Sequence, residues 1–410
     1  MARFTWLVQA AGSTLTMLTL AGPTGQGNVA AQNRSGSPAS APARGCVDRF
    51  DPTRDYFPDK TAITDAKNFR VEYRKSYKLV TVTGTETGAA SEKYVLALCG
   101  TPPPPLVGLL AGAQLVTVPV SSLFAFSATH LALLDDLGRP DVLTGVPRLD
   151  LVATPAMATR LRSGRVVEFA RTSLVIDAER VVTSKPGLLM ADLSSSATLT
   201  VIRGAGIPVV TNTEWLESTA LGRAEWLKYM ALFLNEERKA DEIFGAMKAR
   251  YRALSARATA LPATEQPLVM AGHSARGTFT IAGGRSYVAA LIRDASGRYV
   301  WAENTAVGSV PIDLEAQIQH AANADIWING GGWHDLAAML ADEPRYAAFK
   351  AYRQKQVWVY ERQMTATGEN DYWSRSVTHP DLVLADLIKI FHPTLLPNHA
   401  FEWYMPVPAQ

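Results

Sequence analysis

Residues 176–190 read IDAERVVTSKPGLLM, and residues 312–328 read IDLEAQIQHAANADIWI. Each stretch predicts the same unit, in which an aspartate caps the start of a helix and a buried strand follows the helix. Each unit places one glutamate, Glu179 or Glu315, in the first helical turn, where we expect it to be exposed. The two stretches lie much farther apart than one repeat of a solenoid protein. The sequence therefore predicts two α/β halves of similar build, each presenting one carboxylate.

The paired glutamates have two interpretations. Acidic residues in a first turn complement the helix macrodipole, which is worth about 0.3–1 kcal/mol each at a surface. A protein with one exposed carboxylate on each half could also dock on two points of a partner. Sequence spacing alone leaves both interpretations open.

Length and charge narrow the class of protein. The chain has 410 residues, of which 47% are hydrophobic, and this is enough apolar material for two cores. Its formal net charge is +2, so no strong field favours nucleic acid or an anionic membrane. No Lys/Arg-rich block with interleaved aromatic residues occurs, so we expect no nucleic-acid partner.

The N-terminus predicts export. Residues 4–21 are largely apolar or small, Val29-Ala30-Ala31 offers a cleavage site, and no Asp or Glu precedes Asp48. We interpret residues 1–31 as a secretory signal peptide rather than as a buried helix. Residues 32–65 follow as a linker and N-terminal extension, which begins with a segment rich in Ser, Pro and Gly. The mature protein is therefore expected in the periplasm or at the cell exterior.

The chain contains two cysteines, Cys46 and Cys99. In an exported protein they most simply form a disulfide, and a loop of that size stabilises a fold by roughly 4 kcal/mol in the chain-entropy model. The alternative is lipid attachment at Gly45-Cys46. Arg44 before this pair and its distance from the apolar segment argue against lipidation. No later segment approaches the ~20 apolar residues of a membrane span.

Hydrophobic periodicity predicts the order of the elements. Alternating strands near Phe69–Tyr73 and Tyr77–Val82 form a β extension, and residues 115–119 are expected to be the first strand of an α/β lobe. Strands then alternate with helices, which predicts mostly parallel sheets. We place the N-terminal lobe with its β extension at residues 66–235, a long spine helix at 236–261 and the C-terminal lobe at 262–410.

Signatures of catalysis are weak. Residues 272–277 read GHSARG and resemble a serine-hydrolase nucleophile elbow, but the second glycine is one place late and a strand follows instead of a helix. Phosphate-binding, dinucleotide-binding and His-Glu-x-x-His motifs do not occur. A metal site built from His130, His273 and His334 has no support from spacing. The sequence thus predicts no catalytic residue, no metal ligand and no cofactor.

Loops after strands carry the residues suited to ligand binding. Residues 329–334 and 364–375 follow predicted strands and are rich in Gly, Trp, Tyr and Asn. Ligands bind open α/β sheets at the carboxyl ends of the strands, and Tyr and Trp offer broad apolar faces for a planar or chelate-like ligand. These aromatic residues could equally cover the end of the core. Likewise, Ser127 and Thr129 could line a cleft or serve only as helix caps.

The chain from about residue 66 to 405 resembles the class III periplasmic substrate-binding proteins that feed ABC importers with ferric siderophores, haem or cobalamin. Members of that family have two Rossmann-like lobes joined by one long helix, as periodicity predicts here. The resemblance lies in short motifs, namely residues 213–217 (TEWLE), 221–226 (LGRAEW), 284–287 (GRSY), 294–297 (DASG), 370–373 (NDYW) and 379–387 (HPDLVLADL).

The resemblance assigns roles to residues. Glu179 and Glu315 match the two glutamates that family members present to arginine pockets of the permease. The partners implied are the ABC importer permease and a ferric siderophore, haem or cobalamin ligand, bound by a monomer. Arg285 is expected to pair with a ligand carboxylate or catecholate oxygen. The ligand-binding residues predicted between the lobes are Ser127, Thr129, His130, Arg285, Trp333, His334, Asn370, Tyr372, Trp373 and Arg375.

The sequence departs from the family's pattern at two places. Pro186-Gly187-Leu188 lacks the aspartate of the usual Pro-Asp-Leu, and residues 127–130 read SATH where close relatives have Ser-Thr-Thr-His. These differences affect the identity of the ligand more than the fold.

Two-lobed metal chelatases and nitrogenase-like enzymes share such a cleft, but a signal peptide and the lack of clustered ligands disfavour them. A non-transport interaction module on the same scaffold is a third option.

Overall fold

Sheets and helices alternate along most of the chain in a computed structural model, which describes residues 45–83, 91–150, 154–172, 175–192, 197–275, 278–330, 332–365 and 368–409. The predicted signal peptide and the first part of the predicted linker lie outside these residues. The α/β fold class expected from the sequence is confirmed. No helix within the described residues is both long and apolar enough to cross a membrane.

An N-terminal sheet comes first, with the strand order β1-β2-β3-β4. Its strands are β1 (Phe69–Tyr73), β2 (Tyr77–Val82), β3 (Glu92–Leu98) and β4 (Gln114–Val118). The assignment of residues 115–119 to the first strand of a lobe was wrong, because β4 pairs in parallel with β3. The connection of residues 99–113 is long enough for the crossover that a parallel pair needs. Leu96 and Val116, paired in this register, are both fully buried.

The predicted disulfide is confirmed. Cys46 and Cys99 are bonded, with their Cα atoms 4.7 Å apart, and Val47 N–H donates to the Cys99 carbonyl at 2.9 Å. The bond ties the start of the described chain to the end of β3. Cys46 is therefore not available as a lipid-attachment thiol.

The first α/β half contains a parallel sheet with the strand order β11-β10-β5-β6-β7. Parallel neighbours require crossovers, and the helices between the strands supply them. Beside this sheet β8 and β9 form a small antiparallel pair. The elements are β5 (Leu123–Ala125), α1 (Ala128–Asp136), β6 (Leu143–Val146), α2 (Pro155–Leu161), β7 (Val167–Glu168), β8 (Ala170–Thr172), β9 (Val175–Ile176), α3 (Ala178–Ser184), β10 (Leu188–Ala191), α4 (Ala197–Gly204) and β11 (Val209–Thr211).

Three consecutive helices then lead into the second half: α5 (Ala220–Ala224), α6 (Trp226–Leu234) and α7 (Glu237–Thr259). Asn235 adopts a left-handed conformation, with φ of 54°, and separates α6 from the long helix α7. At 1.5 Å per residue, α7 spans about 34 Å. Helix α7 packs against α6 and also against two helices of the second half.

The second α/β half has a mixed sheet rather than a wholly parallel one. Its central strand β12 pairs in parallel with β14 and β16, and antiparallel with β13, which in turn pairs with β15. The elements are β12 (Leu268–Ala275), β13 (Thr278–Ala282), α8 (Tyr287–Asp294), β14 (Arg298–Tyr299), β15 (Ser309–Ile312), α9 (Leu314–Ala321), β16 (Ile326–Ile328), α10 (Leu336–Asp342), α11 (Lys350–Arg353), β17 (Trp358–Val359), α12 (Tyr372–Arg375), α13 (Pro380–Phe391) and β18 (Met405–Pro406).

Two buried glutamates attach the N-terminal extension to the helices. Glu225, which is fully buried, accepts hydrogen bonds from the backbone N–H groups of residues 64–66 at 2.6–2.9 Å. Glu217 accepts from the backbone of residues 67 and 68 and from the Trp226 indole, each at 3.0 Å. Carboxylates accept several hydrogen bonds at once, so each glutamate satisfies a run of donors that would otherwise be buried without partners.

Candidate functional site

A cavity of about 510 Å³ opens where strands of both α/β halves end. Some of its lining residues follow the carboxyl ends of β5, β10 and β11 in the first half and of β16 and β17 in the second, and others lie in β12 and β13. This is where open α/β sheets bind ligands. The residues used below are Ser127, Thr129, His130, Asp192, Glu214, Trp215, Arg223, His273, Ser286, Tyr287, Tyr360, Tyr372 and Trp373.

The start of α1 forms one wall of the cavity. Ser127 caps this helix, and its Oγ accepts hydrogen bonds from the backbone N–H of Thr129 at 3.3 Å and from the Thr129 hydroxyl at 3.1 Å. The Ser127 N–H donates to Nδ1 of His130 at 3.5 Å, so Nε2 carries the proton of the neutral imidazole. Nε2 is buried and has no partner among the described residues. Burial lowers the pKa of His130 to about 3, so this ring is neutral at physiological pH.

His130 should make the fold sensitive to acid. Its pKa is lowered from 6.5 to about 3 on folding, so between these values the unfolded chain binds the extra proton and stability falls as pH decreases. At pH 5 this loss is ~2 kcal/mol relative to pH 7. Urea denaturation at both pH values should show that His130→Gln removes most of this difference. The same change at the exposed His334 is the control, and an unaltered pH dependence in His130→Gln would contradict the assignment.

Glu214 and Arg223 form a buried ion pair at the cavity. Their exposed fractions are 3% and 6%, and Nη2 of Arg223 lies 3.3 Å from Oε1 of Glu214. The guanidinium stacks on the Tyr287 ring, 4.5 Å from its centroid. The second carboxylate oxygen of Glu214 accepts from the Trp215 N–H at 2.6 Å. Nε of Arg223 has no partner among the described residues, so it can donate to a ligand.

Two further titratable groups line the cavity, Asp192 and His273. Burial raises the pKa of Asp192, and the nearby charge of Glu214 adds to this effect. Burial lowers the pKa of His273, as it does for His130. In each case burial works against the charged form relative to the same group in water, which raises the pKa of Asp192 and lowers that of His273.

Aromatic side chains form the opposite wall. The rings of Tyr360 and Tyr372 are stacked with centroids 4.5 Å apart, and Trp373 meets Tyr360 edge-on at 5.2 Å. Tyr372 is 2% exposed, whereas Trp373 is 46% exposed. One aromatic residue is thus fixed in the core while the other leaves a broad apolar face open to a ligand.

Of the predicted ligand-binding residues, Ser127, Thr129, His130, Tyr372 and Trp373 come together at this cavity. The structure places the others elsewhere. Their positions show which of them support the cavity and which lie apart from it.

Trp333, His334 and Arg285 are not lining residues. Trp333 is buried in a second-half core cluster, where it packs edge-on against Trp327 and donates to Asp342 at 3.2 Å. His334 projects into solvent beside Asp335. Arg285 is exposed, although the next two residues, Ser286 and Tyr287, do line the cavity.

Asn370 and Arg375 support the aromatic wall instead of lining it. Asn370 donates to the Tyr360 carbonyl and accepts from the Tyr372 N–H, both at 3.0 Å. Arg375 lies 2.7 Å from Asp371 and 2.7 Å from Glu402. Both residues therefore hold the loop that presents Tyr372 and Trp373.

Sequence reasoning missed several lining residues. Glu214, Trp215 and Arg223 belong to motifs on which the resemblance was based, but no ligand role was assigned to them. Asp192 directly follows a buried strand, which is the signal that could have identified it. His273 and Ser274 lie in β12, where they pair antiparallel with β13, so they do not sit in the strand-to-helix turn that a nucleophile elbow needs.

The two α/β halves touch beside the cavity. The Ser374 hydroxyl donates to the Ala128 carbonyl at 3.2 Å, joining α12 to α1. Arg148 of the first half lies 3.2 Å from Glu369 of the second. These contacts bring both walls of the cavity together.

The paired glutamates occupy the positions that the sequence predicted for them. Asp177 and Asp313 cap α3 and α9, accepting backbone N–H bonds at 3.2 and 2.7 Å. Glu179 and Glu315 lie in the first turns and are exposed. Glu315 also pairs with Arg345 at 2.9 Å.

Within the part of the chain that the structure describes, no group of three or more His, Cys, Asp or Glu side chains is placed to share a metal ion. The only cysteines are joined in the disulfide.

Solved structures share this fold. An iron-binding (periplasmic solute-binding) protein of Staphylococcus epidermidis is 17% identical with a TM-score of 0.51, covering 67% of this chain and 99% of that one. Helicobacter pylori CeuE with Ni(II) bound is 14% identical with a TM-score of 0.55, covering 71% and 89%. A periplasmic heme-binding protein of Pseudomonas aeruginosa is 18% identical with a TM-score of 0.51, covering 67% and 94%. At this level of identity the likeness concerns the fold.

Relatives in sequence are uncharacterized lipoproteins of Methanocaldococcus jannaschii. One is 22% identical over 301 residues, which is 71% of this chain and 70% of the relative. A second is 25% identical over 263 residues, or 62% of this chain and 64% of the relative.

A family model decides the classification. Residues 125–364, more than half of the chain, match the periplasmic binding protein family. The matched segment contains strands β6 to β17, the long helix α7 and most of the residues that line the cavity. The chain therefore belongs to the periplasmic binding protein family, whose members are non-catalytic substrate-binding proteins of transporters.

Proposed function

We propose that this protein is the extracytoplasmic substrate-binding component of an ABC importer and captures a metal chelate of the ferric siderophore, haem or cobalamin type. The observation that carries this proposal is the aromatic cavity at the strand ends of both halves. Its volume of about 510 Å³ lies within the usual range for small-molecule sites. Proteins of the same fold are described as iron-binding and heme-binding, which supports a ligand of this class.

The ligand is proposed to lie between the start of α1 and the aromatic wall. Ser127, Thr129 and His130 would contact it on one side, with Tyr372 and Trp373 on the other. The contacts between Ser374 and Ala128, and between Arg148 and Glu369, limit how far the halves can separate without breaking polar bonds. Because the family consists of non-catalytic substrate-binding proteins, we do not propose the chelatase alternative.

Location follows from the family and the N-terminus. An extracytoplasmic position agrees with the predicted signal peptide and with the lipoprotein descriptions of two relatives. Because Cys46 is bonded to Cys99, we do not propose Cys46 as a lipid-attachment site. Delivery would occur at a permease that recognises Glu179 and Glu315 from outside the cytoplasm.

Purification from the native host tests the proposal directly. We expect the protein to retain a coloured metal chelate or tetrapyrrole, identified by its absorbance spectrum and by mass spectrometry. Apo-protein would then be titrated with the identified compound. If neither a retained chelate nor binding of any ferric siderophore, haem or corrinoid is found, the proposed function is wrong.

Truncation of the open aromatic face should weaken this binding. Trp373→Ala is expected to cost about 2 kcal/mol, or roughly thirtyfold in affinity, because a large apolar contact is lost at the centre of the site. Isothermal titration with the identified chelate measures the effect. Tyr352→Ala, which removes a partly buried ring that does not line the cavity, is the control. Equal affinities in Trp373→Ala and the unaltered protein would exclude this wall as the binding face.

A further inference from the structure

The charged side chains that line the cavity carry more negative than positive charge. Among the described lining residues they are Asp192, Glu214 and Arg223, which are two carboxylates against one guanidinium. Glu214 already pairs with Arg223, and Asp192 has no cationic partner among the described residues. A ligand with several negative charges would therefore meet a single cationic side chain, Arg223, whose charge is already balanced by Glu214.

The histidines of the cavity do not change this balance. His130 and His273 are both held in the neutral form at pH 7 because burial lowers the pKa of each. His130 can donate one hydrogen bond through Nε2–H, but it supplies no charge.

Arginines next to the cavity are committed to carboxylates. Arg375 pairs with Asp371 and Glu402, and Arg148 pairs with Asp150 and Glu369. Each of these guanidinium groups is neutralised before a ligand arrives. Arg285 is exposed and does not line the cavity.

The remaining binding features suit uncharged oxygens and apolar or cationic surfaces. The unpartnered Nε–H of Arg223 can donate to one carbonyl or hydroxamate oxygen of a ligand. The faces of Trp215 and Trp373, 39% and 46% exposed, attract both apolar groups and cations. By contrast, an anion placed beside Asp192 would be repelled and would lose its hydration without gaining a partner.

We propose that the cavity selects a metal chelate that is neutral or singly positive overall, such as a ferric trihydroxamate or a corrinoid, and excludes polyanionic chelates such as ferric tricatecholates. This selection rests on the proposed function, since it names the class of chelate that the same site takes. It follows from the excess of carboxylates among the lining residues and from the lack of a free buried cation among those described.

Two matched pairs of probes test the selection, with tryptophan fluorescence of the apo-protein at pH 7 as the measurement. The first pair is a cationic ferric trihydroxamate and a trianionic ferric tricatecholate. The second is a cationic corrinoid without its nucleotide and haemin, which carries two carboxylates. In at least one pair we expect the less negative member to bind about a hundredfold more tightly, which corresponds to ~2.7 kcal/mol.

Charge-neutralising variants test whether Asp192 causes the preference for the less negative chelate. Asp192→Asn should reduce the preference by about tenfold, since one negative charge is removed from the lining. Arg285→Gln and Arg276→Gln are controls that should leave the preference unchanged. Among the internal segments after residue 45 that lie outside the described ranges, Arg276 is the only Lys or Arg, so its variant tests the one cation of those segments.

The outcomes separate the two proposals. Tighter binding of the tricatecholate or of haemin overturns the charge selection but leaves the proposed function intact. A preference that persists unchanged in Asp192→Asn, or that depends on Arg285 or Arg276, also overturns it. If none of the four probes binds and no chelate is retained on purification, the proposed function itself is contradicted, and the charge selection is contradicted with it.

Discussion

Replacement of Glu225 by alanine is expected to lower the free energy of unfolding by about 5 kcal/mol. The fully buried carboxylate accepts the backbone N–H groups of residues 64–66 and pairs with Lys228 at 3.0 Å. Without it, a run of backbone donors loses its acceptor, and the largely buried Lys228 ammonium keeps only Asp241 and the Ala62 carbonyl as partners. Urea denaturation followed by circular dichroism measures the change.

Two further variants make this result interpretable. Glu225→Gln keeps the shape and one acceptor oxygen, so it should lose less stability than Glu225→Ala and report an effect even if the alanine variant does not fold. Glu242→Ala removes an exposed glutamate of α7 and should stay within about 0.5 kcal/mol of the unaltered protein. A loss of less than about 1.5 kcal/mol for Glu225→Ala would show that the segment before β1 finds other acceptors.

The second large effect concerns transport. Glu179→Arg and Glu315→Arg are each expected to abolish uptake by cells that carry the cognate importer, while ligand binding in solution stays within about twofold. Both glutamates are exposed in first helical turns, and each reversed charge would face the arginine pocket that the family resemblance implies. Neither residue lines the cavity, so the ligand should not sense the change.

The uptake assay needs a matched reversal elsewhere. Glu242→Arg changes another exposed helical glutamate and should transport normally. Arg345→Gln is informative as well, because Arg345 pairs with Glu315 at 2.9 Å and also with Glu343. Its loss should leave uptake unchanged or raise it by freeing Glu315. Normal uptake in both Glu→Arg variants would show that the two glutamates only stabilise their own helices.

Local rules predicted the helices well. The last helix runs over Pro380–Phe391, where Pro380 suits the first turn and Pro393 prevents continuation. The spine expected at 236–261 is observed as Glu237–Thr259. N-caps at Asp177 and Asp313 were identified because a side-chain oxygen satisfies a backbone donor only three residues away.

Strand partners and the cavity were harder to predict. The strand at residues 115–119 was recognised, but its pairing with β3 depends on how the connection of residues 99–113 returns along the sheet. Trp333 and Trp373 lie in sequence segments of similar Gly-rich or polar composition, yet Trp333 packs against Trp327 in the core and Trp373, in the short helix α12, lines the cavity. Loop composition does not distinguish these outcomes, because burial depends on elements remote in the chain.

The sequence by itself determined the α/β alternation, the two exposed glutamates, the disulfide and the family resemblance. Each of these depends on residues close in the chain or on a cysteine count that leaves one pairing. Only the tertiary structure decided that Glu214 meets Arg223 beside Asp192, and that Asn370 and Arg375 hold the aromatic wall from behind. The charge and shape of the cavity arise from side chains of separate segments, and their burial and distances exist only once those segments have packed together.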